Sequence, residues 1–70
     1  MKLGEAIKYA RISLDLTQEE VAERVSISRS QVANLELGRG GPTTETLAEL
    51  AKALKCWFLT DGKNWMVGFK

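Results

Sequence analysis

Two short amphipathic segments with almost no chain between them constrain this sequence most. Thr17 is placed to cap a helix, and Glu20, three residues on, completes a capping box. Val21, Ala22 and Val25 share one face of the segment that follows. Ser26-Ile27 turns the chain, and Ser28 is placed to cap a second segment carrying Val32 and Leu35. That segment stops at Leu37-Gly38, with Gly38 as the residue past the helix end. Each segment holds about eight residues, and two or three residues join them. Helices so joined cannot lie antiparallel. The short turn forces a steep crossing, and the second helix projects from the body.

The remaining chain supplies a body for that pair. Leu3, Ile7, Ala10 and Leu14 form a helical stripe, which predicts a first helix over about residues 2–13. Gly38-Arg39-Gly40-Gly41-Pro42 is a loop. Thr43 caps a further helix, made amphipathic by Leu47, Leu50, Ala51 and Leu54 and ending near Lys55. The expected fold is mainly α, with four to five helices. A chain of 70 residues has no room for a cleft between two domains. It contains no His and a single Cys, Cys56. No metal site, disulfide, cofactor or catalytic dyad is therefore expected. No apolar run is long enough to span a membrane, so a cytoplasmic protein is expected.

The projecting helix carries the functional signal. Val32 and Leu35 anchor its inner face. At 100° per residue the opposite face holds Arg29, Ser30, Ala33, Asn34 and Leu37, with no carboxylate. Arginine can bond two acceptors of guanine, asparagine can bond adenine, and alanine can meet a thymine methyl. The chain as a whole carries only +1. Between residues 24 and 40, however, Arg24, Arg29 and Arg39 stand against Glu36 alone, a local +2. Glu19, Glu20 and Glu23 belong to the first turns of a helix, where negative charge is favoured in any case.

These residues resemble a known family. The stretches are Leu3-Gly4-Glu5-Ala6-Ile7, Arg11, Leu16 to Val25, Ser28 to Val32, Leu35-Glu36-Leu37-Gly38-Arg39, Pro42, Leu47 and Leu50 to Leu54. Together they resemble the xenobiotic-response-element family of phage-repressor and Cro-like helix-turn-helix proteins, over about residues 3–55. The resemblance implies sequence-specific binding of a homodimer to double-stranded DNA at a palindromic operator. It implies that Gln18 bonds a phosphate and braces the recognition helix. It implies that Ser28, Arg29, Ser30 and Asn34 face base edges or adjacent phosphates, and that Gln31 touches backbone from the flank; Ala33 joins them from its place on the same outer face. The amides around Gly38-Arg39 and the Arg39 side chain would hold the neighbouring phosphates. Arg11 and Glu36 match a pair forming a structural salt bridge. Two departures stand out. Ser26 occupies a turn position where the family usually has Gly. The family's fifth helix is only echoed by Trp57-Phe58-Leu59-Thr60.

That tail, residues 56–70, differs in composition from residues 1–55. Tyr9 is the only aromatic residue before position 57, whereas Trp57, Phe58, Trp65 and Phe69 crowd the last fourteen positions. Its alternation has period two, and Asp61-Gly62 is a two-residue hairpin signal. A short β-hairpin or strand is favoured over a fifth helix. An isolated hairpin is marginal in water. The tail therefore either forms the dimer, by pairing strands between subunits, or closes the helical core as a lid. Two functions fit: a transcriptional repressor, or an antitoxin-like interaction module using the aromatic tail as its partner surface.

Overall fold

The computed structural model describes residues 1–70. Four helices, α1 (Leu3–Ser13), α2 (Gln18–Val25), α3 (Arg29–Glu36) and α4 (Thr44–Ala53), precede an antiparallel hairpin, β1 (Cys56–Thr60) and β2 (Trp65–Phe69). The tail is thus a hairpin and not a fifth helix.

Local chemistry sets the helix starts. The Thr17 hydroxyl accepts from the Glu20 N–H at 3.0 Å, and the Glu20 carboxylate accepts from the Thr17 N–H at 2.9 Å. The Thr17 N–H, and after it the Thr17 hydroxyl, hold the Glu20 carboxyl below its ordinary pKa. Ser28 and Gln31 repeat the reciprocal arrangement at the start of α3, and Thr43 caps α4.

The helix ends share one device. Asp15, Ser26, Gly38 and Lys55, which follow α1 to α4 respectively, all have left-handed backbone, with φ between 50° and 78°. After α2 the Ile27 N–H reaches back to the Ala22 carbonyl at 3.1 Å, closing a six-to-one loop around Ser26. Only Gly38 adopts this conformation without steric cost. A left-handed residue with a Cβ costs about 1–2 kcal/mol, partly offset by the greater freedom of glycine in the unfolded chain. Ser26→Gly should therefore raise stability by about 0.5–1 kcal/mol, read as a higher urea midpoint at unchanged slope.

The core lies where the four helices meet. Ile7, Ala10, Val21, Ala22, Val25, Val32, Leu50, Leu54 and Cys56 form one buried cluster. Leu35 and Leu47, expected in the core, are half-buried, and Leu14 is exposed. The hairpin closes the open side with its inner face, where Phe58 and Val67 pack on the cluster. Burial pushes the Cys56 thiol pKa up, so this cysteine behaves as a small apolar residue. Met1 ties the hairpin down, its carbonyl accepting from the Trp65 N–H at 2.7 Å.

The hairpin turn is a correction to the sequence reading. The strands pair as Thr60↔Trp65 and Cys56↔Phe69, so four residues and not two form the connection. Asp61 explains the longer loop. Its carboxylate accepts from the N–H groups of Lys63 and Asn64 at 2.9 and 2.8 Å, beside the backbone bond from the Asp61 N–H to the Asn64 carbonyl. Those two bonds, Asn64 first, also hold the Asp61 carboxyl below its usual range.

Candidate nucleic-acid interface

The interface is built on α3, and its rigidity comes from one polar cluster beneath it. Glu36, the last residue of α3, is buried, with a side chain only 3% exposed. Arg11 of α1 donates Nε to Glu36 Oε2 at 2.6 Å and Nη2 to Oε1 at 3.0 Å. Gln18, the first residue of α2, donates Nε2 to the same Oε1 at 3.0 Å. Arg11 also donates to the Leu16 carbonyl at 2.9 Å. Three helices and the α1–α2 turn thus converge on one carboxylate. This is the only ion pair in the molecule. Arg24, Arg29 and Arg39 are all exposed and engage no carboxylate.

The electrostatics of α3 differ from those of its neighbours. α1 has Glu5 in its first turn, α2 has Glu19 and Glu20, and α4 has Glu45, but α3 has no acid there. Its positive N-terminus is therefore uncompensated, and Arg29 adds to it. Arg29, Ser30, Gln31, Asn34 and Arg39 are exposed on the outer side, and Ala33 lies half-buried among them. Leu37 completes this face and is 67% exposed, the highest value for any large apolar side chain here. Two grooves flank the helix. Arg11, Asp15, Thr17, Gln18, Glu19 and Arg29 line one, which therefore holds two acids beside its two arginines; Asn34, Arg39, Gly40, Gly41 and Thr43 line the other.

The fold that presents α3 is shared with known proteins. The helix-turn-helix family model matches residues 7–56. This chain belongs to the Cro/C1-type helix-turn-helix family. It is 41% identical over 54 residues to the immunity repressor protein of Bacillus phage phi105, covering 77% of this chain and 38% of that protein. It is 37% identical over 62 residues to the transcriptional regulator DicA of Escherichia coli K12, covering 84% of this chain and 46% of DicA. The chain therefore spans less than half the length of these two relatives. Among solved structures it is similar to the restriction-modification controller protein C.AhdI from Aeromonas hydrophila. The TM-score is 0.72 at 29% identity, covering 74% of this chain and 79% of the other. No helix of this helix-turn-helix protein is long and apolar enough to cross a membrane, and no group of residues suits a metal ion.

The geometry redistributes several roles expected from the sequence. Gln31 is partly occupied within its own helix. Its Oε1 accepts from the Ser28 N–H at 2.8 Å, leaving only its Nε2 free. The Ser28 hydroxyl accepts from the Gln31 N–H at 3.1 Å and keeps its proton for a second partner. The amides of Gly38 and Arg39 cannot receive phosphates as expected. They already donate to the carbonyls of Leu35 and Asn34 at 3.2 and 2.8 Å, closing the end of α3. The amides with no intramolecular partner are the next two, of Gly40 and Gly41.

The tail surface also differs from expectation. Of the four aromatics assigned to a partner surface, Phe58 packs inward on the core and Trp65 is half-buried. Phe69 lies against Tyr9, with ring centroids 6.1 Å apart. Trp57 alone stands on the outer face, with Lys70 Nζ 4.4 Å from its ring. Leu59 and Met66 join it there. Sequence reading missed both because it sought aromatics. Strand register carries the signal: Leu59 pairs with Met66, two positions along from Trp57 on the same face.

Proposed function

We propose that this protein is a sequence-specific regulator of transcription, a dimeric repressor that reads a palindromic operator with α3 in the major groove. Its family is one of DNA-binding regulators and not of enzymes. One observation carries the reading: the outer face of α3 is exposed, free of acid and fixed to two other helices through Glu36. Arg29 is suited to guanine, Asn34 to adenine, and Ala33 with Leu37 to thymine methyls. Ser28 and Ser30 have hydroxyl protons for bases or phosphates. Gln18 and Arg39 take the phosphates on either side, in the two flanking grooves. The cytoplasm is where such a ligand is met.

Dimer geometry is compatible with this size. Recognition helices in adjacent half-sites lie about 34 Å apart, so each sits about 17 Å from the two-fold axis. The body is 29 Å in its longest dimension, so a direct contact between subunits meets this spacing without a linker. The exposed Trp57, Leu59 and Met66 supply an apolar surface for that contact. The same surface favours a second reading, an antitoxin-like module that holds a different protein there.

Selection from a random duplex pool at near-physiological salt separates the two readings. The expected result is an enriched palindrome with half-sites one helical turn apart. Salt-sensitive background binding without enrichment would overturn the repressor reading in favour of the protein partner. On the selected site, Arg29→Ala should lose about 1–3 kcal/mol and relax the preference at one base position. An equal loss on every sequence would reassign Arg29 to a phosphate.

A further inference from the structure

The hairpin has one edge that is left open beyond Cys56. The end bonds fix its hydrogen-bond phase: Lys70 N–H to the Lys55 carbonyl at 3.0 Å, and Asp61 N–H to the Asn64 carbonyl at 3.3 Å. Antiparallel pairs alternate, so Trp57 and Leu59 spend their backbone groups on β2. Cys56, Phe58 and Thr60 therefore direct theirs away from β2. None of these three forms a backbone bond elsewhere in the molecule. The other edge is managed: Trp65 is bonded to Met1, and Phe69 lies against Tyr9. On β1, Cys56-Trp57-Phe58-Leu59-Thr60 contains no charge, Pro or Gly, the usual devices that protect an edge.

We infer that β1 pairs with β1 of a second copy, making a continuous four-stranded antiparallel sheet, with the two-fold axis beside Leu59. The inference rests on the dimeric reading above and specifies its surface. The register follows from what is free. Cys56 is fully buried, so the open edge begins at Phe58, and the Asp61–Asn64 loop ends it after Thr60. An axis at Phe58 would set Thr60 against the covered Cys56. An axis at Leu59 sets Phe58 against Thr60 of the second copy, twice, and satisfies four N–H groups and four carbonyls in two reciprocal pairs. Leu59, 49% exposed on the outer face, then meets its own counterpart directly. Trp57, 56% exposed, reaches that counterpart on the diagonal.

A residue that meets itself allows a decisive exchange. The oligomeric state of the full chain is measured by sedimentation without DNA, with circular dichroism confirming that each variant is folded. The native chain should be a dimer. Leu59→Lys and Leu59→Glu should each weaken it at least about tenfold, because like charges face one another across the axis. An equimolar mixture of the two should restore dimers. Thr60→Pro, which removes an outward N–H, should weaken the dimer without charge. A monomeric native chain, Leu59 variants as dimeric as the parent, or a mixture that fails to recover would overturn the inference. An enriched palindrome alongside such a failure would leave the DNA reading standing with the subunit contact elsewhere. Absence of any enriched site would sink the DNA reading whatever the oligomeric state.

Discussion

Glu36→Ala is expected to cost about 3–5 kcal/mol, the loss seen when one partner of a buried ion pair is removed. The change strips the Arg11 guanidinium of two hydrogen bonds and the Gln18 amide of one. Arg11 cannot turn to water easily, since its side chain is only 12% exposed. It keeps a single bond, to the Leu16 carbonyl. A domain of this size has a total stability of about 4–10 kcal/mol, so much of the population should unfold near physiological temperature. Glu36→Gln keeps the shape and one acceptor and should lose less. Replacing Arg11 and Glu36 together by apolar residues should recover much of the loss, because no charge is then left buried. Urea titration of the three variants checks this ordering. A loss below about 1 kcal/mol for Glu36→Ala would mean that water replaces the carboxylate at no cost.

Gly4→Ala is the second large effect, and its sign is decided by two opposed magnitudes. On an exposed helix the change would stabilise by up to about 1 kcal/mol through helix propensity. Here the added Cβ would lie 2.5 Å from the Leu35 carbonyl oxygen and 2.6 Å from that of Glu36. Both are backbone atoms, which cannot swing aside. α1 must therefore back away from the end of α3, at a cost of about 1–3 kcal/mol for overpacking. The upper end is expected, because the shift also pulls Arg11 from Glu36. Thermal melting should show a midpoint lower by roughly 8–20 °C. An unchanged or higher midpoint would show that the α1–α3 contact yields without loss.

Local rules explain which parts of this fold were legible in the sequence. Thr17 with Glu20, Ser28, Thr43 and Gly38 are short-range signals, and each marks a helix boundary within a residue of where it lies. The switch from period 3.6 to period 2 after Cys56 likewise revealed the strands. What escaped was set by distant parts of the chain. Gly4 matters because α3 crosses it, and no pattern around residue 4 contains that fact. The Gln18–Glu36 bond joins residues 18 positions apart. The four-residue turn was missed because Asp61-Gly62 looks the same whether the backbone alone or the Asp61 carboxylate beside it closes the loop. At the α3 surface the residue types were legible. Which of their donors were already spent, as with Gln31 and the Gly38 and Arg39 amides, required the coordinates.

The helix ends bear on how long the molecule lasts in a cell. Asp15, Ser26 and Lys55 each hold a left-handed backbone that glycine would hold with less strain. Taken together, their replacement by glycine is worth about 2 kcal/mol net, or roughly thirtyfold in the ratio of folded to unfolded chains. The native sequence stays on the less stable side of that factor. Proteases acting on the transiently open chain sample a population set by this ratio. Turnover should then be faster than the fold requires, and the amount of regulator should follow its rate of synthesis closely. Three strained residues, none of them on α3 itself, would in this way set how quickly the level of this protein falls once synthesis stops.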